Sequence, residues 1–367
     1  MAGARKRRMR SAVRTCVVLA AVGLGGWATD AAAQAVDRVR LLDRGEVTGK
    51  ITGTTPDAVE IEDARSGEPK KVPIETIRDV LIGDEPDVLR NARGMLQRRD
   101  GARATAELAN LTAQDTDGAS PLVLAELDFV RAGAAALGAM AAGTGQDAAA
   151  QGLKTFVSKH AKSHHTYEAW ELLGDLLGQT GKYADAATAY TALEKGPPAL
   201  RVRAARAKAG LLFEQGKFAE AAGEFENATK IATNPDDQAS ARQKRAADLG
   251  RARCVARQGQ APAAVKLIDA VVKAADPEDS DTLALAYNAL GDAHRAGGQD
   301  QDALIAFLTV DLVYNSRPES HAEALYNLAE LWEKAGNPER SREARQSLEG
   351  SYPDSPWLKK LKPAQGS

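Results

Sequence analysis

A pattern of about 34 residues recurs through the second half of this 367-residue chain and limits its fold more than any other feature. The clearest copy spans residues 167–200 and contains two helical apolar faces, a turn at Gly181 and a closing Pro198. Its large and small apolar positions are Trp170, Leu173, Gly174, Leu177, Ala186, Tyr190 and Leu193. Because one helix pair cannot bury such faces alone, the pattern predicts helix pairs stacked against one another.

Four further copies follow in the same register. They cover residues 202–235, 245–278, 284–318 and 322–355. The extra residues between copies fall in polar connectors, where insertions lengthen a loop without disturbing the helices. In the last copy, Ser341 and Arg345 stand where an alanine and an aromatic residue are expected. Residues 85–166 fit the pattern less closely and are predicted to form two divergent helical pairs.

The pattern of residues 167–355 resembles the tetratricopeptide repeat. Its first copy has the large residue, Leu-Gly pair, turn glycine, alanine, aromatic residue and proline of that family. The resemblance implies a mainly α fold, an α-solenoid of five to seven helix pairs, which binds proteins and is not an enzyme. An unrelated helical bundle is the alternative, which the in-phase turns disfavour. Residues 352–356 also resemble the Tyr-Pro-x-Ser segments that separate repeats in bacterial envelope proteins.

In tetratricopeptide repeats the first helix of each pair lines a concave groove, so the resemblance implies a binding surface. By repeat position, the groove residues are Glu168, Glu171, Asp175, Arg203, Arg206, Arg253, Arg257, Asn288, Arg295 and Tyr326. A protein or peptide partner is expected there, and the four arginines of the second and third copies would bind a carboxylate-rich segment. The alternative is a solvated face whose arginines pair with neighbouring Asp and Glu side chains. No feature of the sequence selects one partner.

Residues 36–84 differ from the rest because apolar and polar side chains alternate with a period of two. Val59 and Ile61, for example, alternate with Glu60 and Glu62. This alternation predicts four or five short antiparallel strands that form a small all-β, SH3-like barrel. The spacing also resembles an Sm-like barrel, but the Asn and the Arg-Gly pair that such proteins use to bind RNA are absent. We therefore expect the fold without nucleic-acid binding.

The first 35 residues have the order of a secretory signal peptide, with a basic start, an apolar centre and small residues before the cleavage site. We expect cleavage after Ala35, with cleavage after Ala33 and an uncleaved membrane anchor as alternatives. The mature chain would lie in the periplasm or be secreted, without a transmembrane segment. Removing six basic side chains and one acidic one leaves 42 basic and 49 acidic side chains. The resulting net charge of −7 disfavours nucleic-acid binding.

Residues that commonly carry chemistry form no recognisable site in the sequence. The five histidines lie outside HExxH and Cys/His zinc spacings, and His164–His165 is expected at a solvated helix junction. Cys254, the single cysteine after residue 35, is expected to be a buried small hydrophobe, so no disulfide within the mature chain is expected. We expect no catalytic residue, no metal and no cofactor.

These patterns divide the chain into five parts. They are a signal peptide (1–35), a β-barrel domain (36–84), divergent helical pairs (85–166), a repeat array (167–355) and a C-terminal tail (356–367). The first hypothesis for function is a non-catalytic interaction scaffold of the bacterial cell envelope. The second is a self-associating structural or assembly subunit that docks through its β domain. The third, an enzyme, has no catalytic motif in its support.

Overall fold

The structure is a computed structural model that describes residues 36–231, 238–353 and 355–361. The expected signal peptide and both of its candidate cleavage sites lie outside these residues, as does the Asn234–Asp237 connector. Across the described ranges, no helix has both the length and the apolar character needed to cross a membrane.

The first described segment forms one five-stranded antiparallel sheet, as its alternating pattern predicts. The strands are β1 (Asp37–Leu41), β2 (Glu46–Thr55), β3 (Ala58–Asp63), β4 (Pro69–Pro73) and β5 (Ile77–Leu81). They are hydrogen-bonded in the order β4-β3-β2-β1-β5, and a 3₁₀ turn at Ile74–Thr76 leads into β5. In β3, buried Val59 and Ile61 alternate with exposed Glu60 and Glu62, so one face of the strand enters the core.

Sixteen α-helices occupy the described residues that follow the sheet. The first five are α1 (Asp87–Gln97), α2 (Gly101–Leu108), α3 (Ala113–Thr116), α4 (Pro121–Ala142) and α5 (Gln146–Lys159). The next six are α6 (Thr166–Gln179), α7 (Tyr183–Thr191), α8 (Pro198–Glu214), α9 (Phe218–Ile231), α10 (Gln238–Arg257) and α11 (Ala261–Ala274). The last five are α12 (Ser280–Ala296), α13 (Asp300–Leu312), α14 (Pro318–Lys334), α15 (Pro338–Ser351) and α16 (Pro356–Leu361).

The helices pair as the repeat pattern predicts. Helices α6 to α15 form the five expected pairs, and α1–α2 and α4–α5 form the two pairs upstream. Each of the five later pairs turns at a glycine with φ between 72° and 80°. These glycines are Gly181, Gly216, Gly259, Gly298 and Gly336. A residue with a Cβ rarely adopts this left-handed conformation, so the turn glycines fix where each first helix ends.

The last repeat keeps its helix pair although two of its positions depart from the pattern. Ser341 is buried on α15, and its hydroxyl donates to the carbonyl of Ala329 on α14 at 2.8 Å. The small side chain therefore serves in place of alanine. Residues 356–361, which we assigned to a C-terminal tail, form α16, and Leu358 packs against Leu325.

Close contacts between a glycine and an aromatic ring recur along the array. A Cβ at Gly174 would lie 2.4 Å from the ring of Tyr190, and a Cβ at Gly291 would lie 2.5 Å from the ring of Phe307. In both repeats the glycine on the first helix receives the ring of the second helix. This contact explains why the repeated pattern has a glycine on its first helix and an aromatic residue on its second.

Candidate functional site

The groove residues implied by the resemblance lie on the first helices of the five repeats, α6, α8, α10, α12 and α14. Several of them bind other side chains of the same face. Arg203 on α8 donates from Nε to Glu171 on α6 at 3.0 Å. Arg295 on α12 pairs with Glu330 on α14 at 3.0 Å, and Tyr326 donates to Glu330 at 2.7 Å. These arginines therefore pair with neighbouring carboxylates, as in the alternative interpretation of the groove.

Arg253 links three of the first helices. From α10 it pairs with Asp292 on α12 and donates to Glu323 on α14 at 2.6 Å. Asn288 on α12 donates to Glu323 at 3.3 Å and to the carbonyl of Ser320 at 2.8 Å. Burial lowers the pKa of Arg253, but the two carboxylates outweigh burial and raise this pKa above its usual value. Internal pairs therefore occupy the face between α10 and α14.

The other two arginines of the predicted set also contact side chains of the array. Arg206 donates to Gln243 on α10, and Arg257 lies over the ring of Phe218 at 5.3 Å from its centroid. Burial and the positive charge of Arg317 lower the pKa of Arg206 to about 10. The structure thus gives each of the four predicted arginines a partner within the chain.

A cleft of about 490 Å³ opens between the sheet and the first two repeats, and we call it the sheet–helix cleft. Its sheet wall includes Leu42, Ile77, Arg78 and Val80. Its helix wall includes Glu168, Glu171, Asp175, Leu200 and Arg203. Four residues of the predicted groove therefore share this concave surface, whereas the other six do not line it. The volume lies in the range of ordinary ligand pockets.

The sheet wall of the cleft was not predicted, because the sequence suggested two separate units. Tyr167 on α6 donates to Asp57 in the β2–β3 turn at 2.9 Å. Thr54 on β2 donates to the carbonyl of Lys162 at 3.0 Å. These contacts join residues more than 100 positions apart, and no motif marks them in the sequence. They hold the sheet against the start of the repeat array and so create the cleft.

The carboxylates on the helix wall are partly removed from water. Burial raises the pKa of Glu171, and the positive charge of Arg203 opposes this shift. Burial also raises the pKa of Asp175, which accepts a hydrogen bond from Tyr190 at 2.8 Å. The side chain of Glu168 stays 52% exposed. The wall therefore combines desolvated charges with one accessible carboxylate, which suits recognition of a polar segment.

His164 and His165 lie on the wall of the cleft beside Glu126 of α4. His165 Nε2 is 2.9 Å from Glu126 Oε2, and its Nδ1 is 3.0 Å from Glu168 Oε2. The ring of His165 stacks on Phe129 with centroids 3.8 Å apart, and His164 is only 6% exposed. The expectation of a solvated junction is therefore wrong, because α4 and the sheet cover the connection between α5 and α6.

The two histidines have opposite charge preferences. Burial and the charge of His165 lower the pKa of His164 to about 3. Burial also lowers the pKa of His165, but Glu126 and Glu168 outweigh it and raise this pKa to about 9. Although burial raises the pKa of Glu126, His165 and Arg93 hold it well below its usual range. Near neutral pH, His165 and Glu126 therefore form an ion pair beside a neutral His164.

A buried ion network supports Glu126 on its other side. Arg93 on α1 is 4% exposed and donates to the two oxygens of Glu85 at 2.7 Å each. It also donates to Glu126 Oε1 at 3.1 Å and lies 3.8 Å from Asp79 on β5. Burial raises the pKa of Glu85, and Arg93 opposes this shift. The network joins the sheet, α1 and α4 behind the histidines.

Comparisons with known proteins agree with the repeat architecture. Residues 134–199 and 171–237 match the sequence model of the tetratricopeptide repeat. The chain is similar to the structure of a tetratricopeptide repeat protein from Parabacteroides merdae, with 17% identity over 75% of this chain and 96% of that chain, and a TM-score of 0.50. It is also similar to Rap protein complexed with Competence and Sporulation Factor, with 13% identity over 75% and 77% of the two chains, and a TM-score of 0.49. No curated protein sequence matches this chain.

The first family match begins within α4, so it includes the C-terminal part of α4 and all of α5, upstream of the five repeats. Tetratricopeptide repeats are in general interaction modules without catalytic activity. The family match, the glycine turns and the seven helix pairs agree with one another. The helical part of this chain is a solenoid like that of tetratricopeptide repeat proteins, and residues 134–237 of it match that family's sequence model.

Proposed function

We propose that this chain is a non-catalytic scaffold of the bacterial cell envelope that binds an extended segment of a partner protein in the sheet–helix cleft. One observation carries the proposal: the cleft combines four residues of the predicted groove with an edge strand of the sheet. The envelope location rests on the expected signal peptide at residues 1–35. Tetratricopeptide repeats in general bind other proteins, which also supports the proposal.

The cleft is favoured over the face between α10 and α14 because it keeps an exposed arginine and an accessible carboxylate. Between α10 and α14, the guanidinium of Arg253 is bound to two carboxylates of the chain. In the cleft, Arg78 is exposed, Glu168 is about half exposed, and Leu42 is 58% exposed. A docked segment would therefore meet accessible apolar and charged groups together in the cleft.

The two edges of the sheet also differ in a way that favours the cleft. At one edge, β4 contains Pro69, Lys70 and Lys71, and prolines and lysines oppose the pairing of further strands. At the other edge, β5 pairs only with β1 among the described strands, and Ile77 on β5 lines the cleft. An extended partner segment would pair with this edge while its side chains contact α6 and α8. A second copy of this chain at the same edge is the self-associating alternative.

Leu42→Glu and Leu200→Glu place a carboxylate on opposite walls of the cleft. Each is expected to weaken partner binding about tenfold or more, because the docked segment would bury an unpaired charge. The partner is first identified by crosslinking and affinity capture from envelope extracts with mass spectrometry. Its affinity for the purified variants is then measured by titration. Leu312→Glu is the matched control, since Leu312 is 73% exposed on α13 and outside the cleft.

Equal affinity of the partner for the parent chain and both cleft variants would contradict binding in the cleft. Light scattering on the same samples tests the alternative, because a stable oligomer that Leu42→Glu disperses would indicate self-association. The mass of the chain recovered from the envelope fraction tests export. A chain that begins at residue 34 or 36 is expected, and an intact chain confined to the cytoplasm would contradict the envelope location.

A further inference from the structure

We propose that Glu126, His164 and His165 form a binding site for a divalent transition metal of the Zn²⁺ class. One carboxylate oxygen and one nitrogen of each imidazole lie within 4.8 Å of one another. Two imidazoles and one carboxylate are a donor set that Zn²⁺ uses where a fourth position stays open. This inference goes beyond partner binding and does not depend on it.

Further side chains orient two of the three ligands. Glu168 Oε2 lies 3.0 Å from His165 Nδ1, which leaves His165 Nε2 directed at Glu126 Oε2, 2.9 Å away. Arg93 donates to the other oxygen of Glu126, Oε1, at 3.1 Å. Glu85 balances the charge of Arg93 with two hydrogen bonds of 2.7 Å. A carboxylate on the far nitrogen of a ligating histidine is a common outer-shell partner in metal sites.

His164 provides an independent observation. Its Nδ1 is buried and has no hydrogen-bond partner among the described residues, and its Nε2 is 3.9 Å from Glu126 Oε2, beyond hydrogen-bond distance. Buried polar atoms nearly always have a partner, because leaving them without one is costly. A metal bound beside His165 and Glu126 would give the His164 imidazole a partner that the described side chains do not supply.

The ligands come from two places in the fold. Glu126 belongs to α4, and the histidines precede α6 and line the cleft. Because the two histidines line the cleft, water or a donor group of a ligand would reach the metal from that side. The competing account is the His165–Glu126 ion pair alone, which needs no metal.

The test is a titration of the full chain, prepared without a histidine tag and treated with chelator, with Co²⁺ as the spectroscopic probe and Zn²⁺ as competitor. We expect one Co²⁺ per chain, with the visible absorption of four-coordinate nitrogen and oxygen ligation. His164→Gln and Glu126→Gln are each expected to weaken Co²⁺ binding by more than about tenfold. Glu168→Gln is expected to weaken it about 10–100-fold, as for other outer-shell partners.

His321→Gln is the matched control, because His321 also has two partners, Asp311 at 2.7 Å and Tyr352 at 2.8 Å, but lies outside the cluster. Its Co²⁺ affinity is expected to equal that of the parent. Equal affinity of the parent and His164→Gln would overturn the proposal and leave the ion pair alone. If Glu126→Gln does not fold, His164→Gln decides, since no hydrogen bond of the His164 side chain is lost. Failure of partner binding in the cleft would not change this result.

Discussion

Arg93→Met is expected to lower the free energy of unfolding by about 3–5 kcal/mol, because it removes one partner of a buried ion network and leaves the others unpaired or less well paired. Arg93 is 4% exposed and binds the carboxylates of Glu85 and Glu126. Methionine preserves much of the volume but leaves Arg90 as the one cationic partner of Glu85 among the described residues. Chemical denaturation of the purified chain measures the loss.

The matched control for this change is Arg103→Met on α2. Arg103 is 80% exposed and pairs with Asp100 at 3.4 Å, so about 0–1 kcal/mol is expected. The double variant Arg93→Met with Glu85→Leu is expected to recover part of the loss, because it removes the buried carboxylate that Arg93 no longer neutralises. A loss below about 1 kcal/mol for Arg93→Met would show that this network does not hold the sheet, α1 and α4 together.

Phe307→Ala is expected to lower the free energy of unfolding by about 3–5 kcal/mol, which is typical for removal of a buried aromatic side chain. The ring is fully buried in the α12–α13 pair and packs directly over Gly291. Its removal would leave a cavity between α12 and α13, where the ring now packs against Gly291. Chemical denaturation again measures the loss, and circular dichroism confirms that the variant remains helical.

Ile305→Ala on the same helix is the control for Phe307→Ala. Ile305 is 64% exposed, so its truncation is expected to change stability by less than about 0.5 kcal/mol. Both variants truncate a side chain of α13 to alanine, one of them exposed and the other buried. Similar losses for the two would contradict the packing of the aromatic ring against the first helix.

The repeat architecture was predictable because each repeat is defined by residues close together in the sequence. Gly181 marks the turn of the first copy, and Gly174 and Tyr190 mark its helix contact, all within one 34-residue unit. The alternating residues of β3 likewise predicted a strand with one buried face. Local periodicity reports which face of an element is buried, and here it was sufficient for the fold class.

The candidate site was only partly predictable because it depends on contacts between distant segments. Glu168, Glu171, Asp175 and Arg203 could be placed on a groove by repeat position alone. The sheet wall depends on Tyr167 binding Asp57, 110 residues away, and no local pattern records that contact.

The histidine cluster was missed for the same reason. Glu126 lies 39 residues before His165, on a helix that the repeat pattern describes poorly. Two adjacent histidines next to Lys162 and Ser163 resemble a solvated loop when only neighbours in the sequence are considered. Their burial depends on α4 and the sheet, which meet only in the folded chain.

The most direct test of the central claim is site-specific photocrosslinking in cells. A photoreactive residue is placed at Leu42 or Leu200 in the cleft, at Tyr326 on the distant part of the groove, or at Leu312 outside both surfaces. We predict that one partner protein is crosslinked from Leu42 and Leu200 and from neither of the other positions. Crosslinking of that partner from Tyr326 or Leu312 alone would contradict binding in the sheet–helix cleft.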